Sequence, residues 1–193
     1  MIAPALALGP IVLASRSPQR RAILEQLGIE FEVRPSDYRE DPVAGLAPPE
    51  LAVAHAAGKA HDVAGRGGDR PVLAVDTVVA LGERTFGNPR DEDEAREFLR
   101  SLSGRTHDVH SGLCLIVGGR AQQGVATTRV TMQQLSHADM DWYVARGEWR
   151  DRAGGYAIQG AGAALVVAID GDYTNVVGLP VPVLLDAMAK AVR

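Results

Sequence analysis

Apolar positions along the chain fall into runs and helical stripes, and the switches between them mark its elements. Ile11–Ser15 is a short apolar run that predicts a strand. The next segment, "SPQRRAILEQLG", predicts a helix with Ser17 as N-cap, Pro18 at the first helical position and Gly28 as the stop. "FEVRPS" predicts a short strand ending at a proline, and Pro48–Ala64 an alanine-rich helix. "PVLAVDTVVAL" predicts a strand, and "RDEDEAREFLRSLSG" an acid-started, glycine-stopped helix. "HDVHSGLCLIVGG" and "QQGVATTRVTMQQL" form a β-hairpin pattern with its turn near Gly118-Gly119. "SHADMDWYVARG" predicts a helix capped by Ser136. "ALVVAIDGDYTNVVG" predicts a strand, a turn and a second short strand, and "PVPVLLDAMAKAV" a closing helix.

Strands alternating with helices, plus a hairpin, predict an α/β fold with a mixed, twisted sheet and flanking helices. A two-lobed shape around a cleft follows, as one domain over residues 1–193, with residues 1–10 a loose N-terminal extension.

Composition narrows the function. With 46% hydrophobic residues the chain packs a core, and with only 5% aromatics that core is built from Ala, Val and Leu. A net charge of -4 excludes a general nucleic-acid binder but leaves room for a local basic pocket. The single cysteine, Cys114, lies in an apolar run and reads as a small buried hydrophobe. The N-terminal stretch lacks the basic start of a secretory signal, and no apolar run reaches membrane-spanning length. A soluble cytoplasmic protein is expected.

Five stretches can carry chemistry. At Ser15–Arg21 a strand turns through serines into a helix N-terminus, which is an anion site in its own right. Arg20 and Arg21 oppose the helix dipole there, which is eased by a phosphate; alternatively both are solvated and only the Ser-Pro cap matters. Asp76 interrupts an apolar strand, where a carboxylate is costly unless it is paired, metal-bound or facing a cleft. Asp76 and its neighbour Thr77 face opposite sides of a regular strand, so sharing one site requires the strand to end or bend there. Asp37, Glu40 and Asp41 form either a solvated loop or part of a hard-cation site with Asp76, suited to Mg²⁺ or Mn²⁺. Lys59 stands in a helix poor in charge, where a snorkelling surface lysine is the plain alternative. Arg152 and Gln159 flank a glycine-rich loop in which a glutamine amide can read a base edge, or which is simply a tight turn.

Other signals fail. "GERTFGNP" has Walker-like glycines but Asn-Pro where Lys-Ser/Thr is needed, and "GAGAAL" lacks the last glycine of a dinucleotide fingerprint. His107 and His110 fall on opposite faces of an extended segment, which argues against a metal pair.

Taken together, "LASRSPQRRAILEQLG", "AVDTVV", "NPRDEDEAREFLRSLSGRTH", "RAGGYAIQGAGA" and "GDYTNVVGLP" resemble, in order, the Maf family of nucleoside triphosphate pyrophosphatases. The resemblance runs from Ile11 to the last helix. It implies a Maf/ITPase-like fold and hydrolysis of the α–β phosphoanhydride, giving a monophosphate and pyrophosphate with a divalent metal. By motif position Asp76 is the general base, Glu40 a metal-associated carboxylate, Lys59 and Arg20 neutralise the triphosphate, and Ser15 sits at the phosphate loop. Arg152 stands where the family usually has lysine.

Positions matching Gln19, Thr77 and Gln159 are linked to base choice in the family. Thr77 and Gln159 are similar to the branch acting on dTTP and UTP, whereas Gln19 replaces its usual arginine. Asn88 stands where the family reads lysine, and Ala22 where it reads glutamate. The reading is therefore a dTTP/UTP pyrophosphatase, or one for modified pyrimidine triphosphates. The alternative is a nucleotide-responsive cell-division regulator with weak or no catalysis. A homodimer is also implied.

Overall fold

A computed structural model describes residues 8–41, 43 and 45–192. Most of the expected loose extension, residues 1–7, lies outside the described residues, while Leu8 packs partly buried against the core. The elements in chain order are β1 (Ile11–Leu13), α1 (Pro18–Gln26), β2 (Phe31–Val33), α2 (Pro48–Ala64) and β3 (Val72–Leu81). They continue with β4 (Arg84–Phe86), α3 (Glu92–Leu102), β5 (Thr106–Val117), β6 (Arg120–Met132) and α4 (His137–Val144). β7 (Val166–Asp170), α5 (Tyr173–Val177) and α6 (Val181–Ala191) complete the chain, with 3-10 turns at Ala153–Gly155 and Gly160–Leu165.

Local chemistry explains the boundaries. Ser17 Oγ accepts the Arg20 amide at the start of α1, and Gly28 takes φ +67° just beyond its end. Asp91 caps α3, and Ser136 and Asp139 cap α4 reciprocally. Gly118 and Gly119, at φ +54° and +77°, close the β5–β6 hairpin as the two-residue turn expected there.

One expectation is corrected, and one element is new. Residues 173–177 form the short helix α5, not a strand, because Asp172 Oδ1 accepts from both the amide and the hydroxyl of Thr174 and so turns the chain. Within the failed Walker-like stretch, Arg84–Phe86 pairs with β3 as the unexpected strand β4.

The seven-stranded sheet has the order β2-β1-β3-β5-β6-β7, with β4 also on β3. β1 runs parallel to β2 and β3; the other pairings are antiparallel. β5 covers one edge of β3, from Val72 to Ala80. The other edge is shared: β1 pairs with Val72 and Leu73, and β4 with Val79 to Leu81. Among the described residues, no strand pairs with residues 74–78 on that edge.

The apolar core divides around this gap. On one side of the sheet Leu73 and Val75 pack with Ile23 and Leu24 of α1 and Leu184 and Met188 of α6. On the other, Ala74 and Cys114 pack with Ala56, Ala60 and Val63 of α2. Beyond the gap, Val79 joins Phe86, Phe98, Leu99, Met140 and Tyr143 in a separate core. These are the two lobes, held together by the long strands β3, β5 and β6.

Candidate active site

The gap along β3 opens into a cleft of about 530 Å³. Ser15, Gln19, Arg20, Glu40, Lys59, Asp76, Thr77, Asn88 and Arg152 all line it. Gln159 does not; it lines an adjoining pocket of about 280 Å³ that shares Gln19, Arg152 and Tyr156 with the cleft. The strand neither ends nor bends at Asp76. Instead the neighbouring strand is missing, so both faces of β3 border the same opening and Asp76 and Thr77 reach it from opposite sides.

On the α2 side, Lys59 Nζ lies 2.6 Å from Asp76 Oδ1 and 2.5 Å from Glu40 Oε1. The lysine and Asp76 are largely buried, with side chains 13% and 7% exposed, whereas Glu40 is half-exposed on the loop after β2. The plain reading of Lys59 as a surface lysine is thereby corrected: its ammonium is clamped between two carboxylates. This contact depends on how closely α2 approaches the sheet. Gly112 of β5, directly opposite Asp76, makes that approach feasible: a Cβ there would stand 2.3 Å from the Ala52 carbonyl.

On the other side, Arg20 donates through Nε to the Gly178 carbonyl (2.8 Å), and through its two terminal nitrogens to Ser15 Oγ (3.0 Å) and Thr77 Oγ1 (3.2 Å). Thr77 Oγ1 is also 2.9 Å from Ser111 Oγ. Burial pulls the Arg20 guanidinium below its ordinary pKa, and the nearby negative charges of Asp76 and Glu40 oppose that shift. The guanidinium is therefore held rigidly across the cleft from the carboxylates. Arg21, by contrast, is exposed and outside the cleft lining, so the two arginines of the opening motif part company.

Gln19 Oε1 accepts from Arg152 (2.8 Å) and from Ser17 Oγ (3.1 Å), where the cleft meets the adjoining pocket. Arg152 Nε is buried with no partner among the described residues. Asp151, beside it, has φ +58°, an uncommon conformation for a non-glycine residue. Asn88 is exposed at the rim. Of the loop acids, Asp37 pairs with Arg66 and Asp41 with Arg39, leaving Glu40 as the one that reaches Lys59. His107 and His110 form no pair: His107 Nε2 bonds the Tyr156 hydroxyl at 2.8 Å, and His110 bonds Thr127.

Tyr38 and Tyr156 are among the cleft residues that the sequence reading missed. Tyr38 gave no signal, because its partners Gly58 and His55 lie on a helix far along the chain. Tyr156 sits in the quoted glycine-rich motif, and its burial beside His107 depends on the fold.

The family profile described as "Maf-like protein" matches residues 10–191. The chain belongs to the Maf family. Among similar proteins is one from Pyrococcus furiosus named dTTP/UTP pyrophosphatase, 45% identical over 91% of this chain and 92% of its own. Others of the same name come from Myxococcus xanthus (49% identical, 88% of this chain, 86% of its own) and Nitratidesulfovibrio vulgaris (49%, 92% and 86%). The solved structure of a HAM1 protein from Coxiella burnetii has the same fold, with a TM-score of 0.52 at 17% identity over 95% of this chain and 98% of its own.

Proposed function

We propose that this Maf-family chain is a nucleoside triphosphate pyrophosphatase acting on dTTP and UTP, hydrolysing them to the monophosphate and pyrophosphate. The observation that carries the reading is the Glu40–Lys59–Asp76 cluster facing the fixed Arg20 guanidinium across one cleft. Relatives covering most of the chain bear the same activity in their names.

A divalent cation of the Mg²⁺ or Mn²⁺ kind suits the donor set. Glu40 and Asp76 offer hard oxygens that converge on one point, where a cation, the Lys59 ammonium, already sits. Two carboxylates completed by phosphate oxygens and water are ordinary for such ions, and the bound ion supplies neutralisation of the phosphate charge.

The protein's own groups perform the rest. Asp76 orients a water molecule toward the α-phosphorus and takes its proton. Lys59 and Arg20 stabilise the charge that builds on the phosphates, and the rigid hydrogen bonds of Arg20 mean that little reorganisation is needed. Ser15 and the amides opening α1 receive phosphate oxygens. Arg152, held by Gln19, adds a further cation, and Asn88 contributes a neutral group at the rim. Gln19 and Gln159, which both line the adjoining pocket, and Thr77 set the choice of base. The homodimer and the cytoplasmic location belong to the same reading; among the described residues no helix is long and apolar enough to cross a membrane.

The test is pyrophosphate release with Mg²⁺ or Mn²⁺ across normal and modified nucleoside triphosphates, with Asp76→Asn as control. Release selective for dTTP and UTP, and lost in the variant, is expected. No release from folded protein overturns the enzyme and favours a nucleotide-responsive regulator.

A further inference from the structure

Gly58 sits in the middle of α2, where glycine costs roughly 1 kcal/mol relative to alanine. Its φ does not demand glycine, so the backbone gives no reason for it. The reason lies in what covers it. A Cβ at Gly58 would stand 2.3 to 2.7 Å from three ring carbons of Tyr38, so the missing side chain is a notch that the Tyr38 ring fills.

The notch is part of a longer track. His55, Gly58, Lys59, Asp62 and Arg66 follow helical spacing, so they share one side of α2 and the turn after it. The segment from Pro35 to Tyr38 runs antiparallel along them. Arg66 donates to the Pro35 carbonyl and to Asp37, and Asp62 Oδ2 accepts from Ser36 Oγ (2.7 Å) and the Asp37 amide (2.8 Å). The Tyr38 ring follows, seated in the Gly58 notch with its hydroxyl 3.3 Å from His55 Nδ1. Glu40 comes last, on Lys59. The final contact before that half-exposed carboxylate is therefore the aromatic ring in the notch.

We infer that Tyr38, docked on Gly58 and His55, is a positioning residue that sets Glu40 over Lys59 and Asp76 and thereby tunes how the cleft takes up its divalent cation. This rests on the proposed pyrophosphatase reading for its catalytic readout, but not for its structural one. If Tyr38 served only to support α2, the better helix former in Gly58→Ala would offset its loss; instead Gly58→Ala favours the helix but evicts the ring, and Mn²⁺ binding falls all the same.

The experiment compares Gly58→Ala, Tyr38→Ala, Tyr38→Phe and the Gly58→Ala/Tyr38→Ala double variant in the full chain. Three quantities are read: the Mn²⁺ concentration giving half-maximal pyrophosphate release, Mn²⁺ binding by electron paramagnetic resonance, and amide exchange over Tyr38–Glu40. Gly58→Ala and Tyr38→Ala each weaken Mn²⁺ about tenfold, the usual scale for groups that orient a metal ligand, with kcat at saturating Mn²⁺ kept within about twofold. Exchange at Tyr38–Glu40 speeds up in both. Tyr38→Phe stays near wild type, since the ring fills the notch, and Gly58→Ala adds nothing once Tyr38 is Ala. Unchanged Mn²⁺ binding and exchange in Gly58→Ala, or additive effects in the double variant, overturn the inference. If wild type releases no pyrophosphate, the functional reading fails, while binding and exchange still decide the role of Tyr38.

Discussion

Replacing Lys59 by Met keeps most of the side chain's apolar length and removes the ammonium between Glu40 and Asp76. Asp76, only 7% exposed, then has no cation at 2.6 Å, whereas half-exposed Glu40 turns to water at little cost. Breaking a buried pair by deleting one partner costs about 3–5 kcal/mol, and the bordering cleft places this pair at the lower end, near 3 kcal/mol. For a chain of this size that is a fall in melting temperature of about 6–12 °C. Denaturant titration of the wild type, Lys59→Met and Lys59→Met/Asp76→Asn measures it. The double variant recovers most of the loss, because no charge is left unpaired, yet it stays inactive. Saturating Mn²⁺ stabilises Lys59→Met over its own metal-free form by about 2–3 kcal/mol at a hundred times its dissociation constant, because Glu40 and Asp76 are left free to hold the ion. A Lys59→Met stability within about 0.5 kcal/mol of wild type, or a double variant no better than the single, refutes this reasoning.

Two further outcomes follow from the same packing. Gly112→Ala drives a Cβ into the α2 backbone, so it destabilises by about 3 kcal/mol and separates Lys59 from Asp76; urea unfolding alongside a turnover assay detects both losses. Burial pushes His107 down to about 4, with Asp108 opposing, so below pH 6.5 the unfolded chain takes up a proton that the folded chain refuses. Stability therefore falls by about 3 kcal/mol as pH drops from about 6.5 to about 4, and His110, also lowered by burial, adds in the same direction. Urea midpoints across that range should flatten in His107→Gln, and an equally steep His107→Gln profile counts against the assignment.

Much of the fold was legible because its boundaries are written in local chemistry. Ser17, Asp91 and Ser136 cap helices within three residues of themselves, and Gly118-Gly119 closes a hairpin unaided. α5 was misread because Thr174, Val176 and Val177 favour strands, while its turn comes from the Asp172 side chain. β4 is only three residues long and gains its place from pairing with β3. Asp76 stood out as a charge in an apolar run, but its sharing of a cleft with Thr77 depends on the gap between β1 and β4, which no local pattern encodes. Gly58 carries no local signal, because the Tyr38 ring that fills its place comes from twenty residues earlier in the chain.

The most direct test of the account is the site of water attack. UTP is hydrolysed in ¹⁸O-labelled water with Mg²⁺, and both products are analysed by mass spectrometry. With Asp76 directing water at the α-phosphorus, the label enters UMP, the pyrophosphate is unlabelled, and Asp76→Asn abolishes both products. Label in the pyrophosphate, release of inorganic phosphate instead, or undiminished turnover by Asp76→Asn contradicts it.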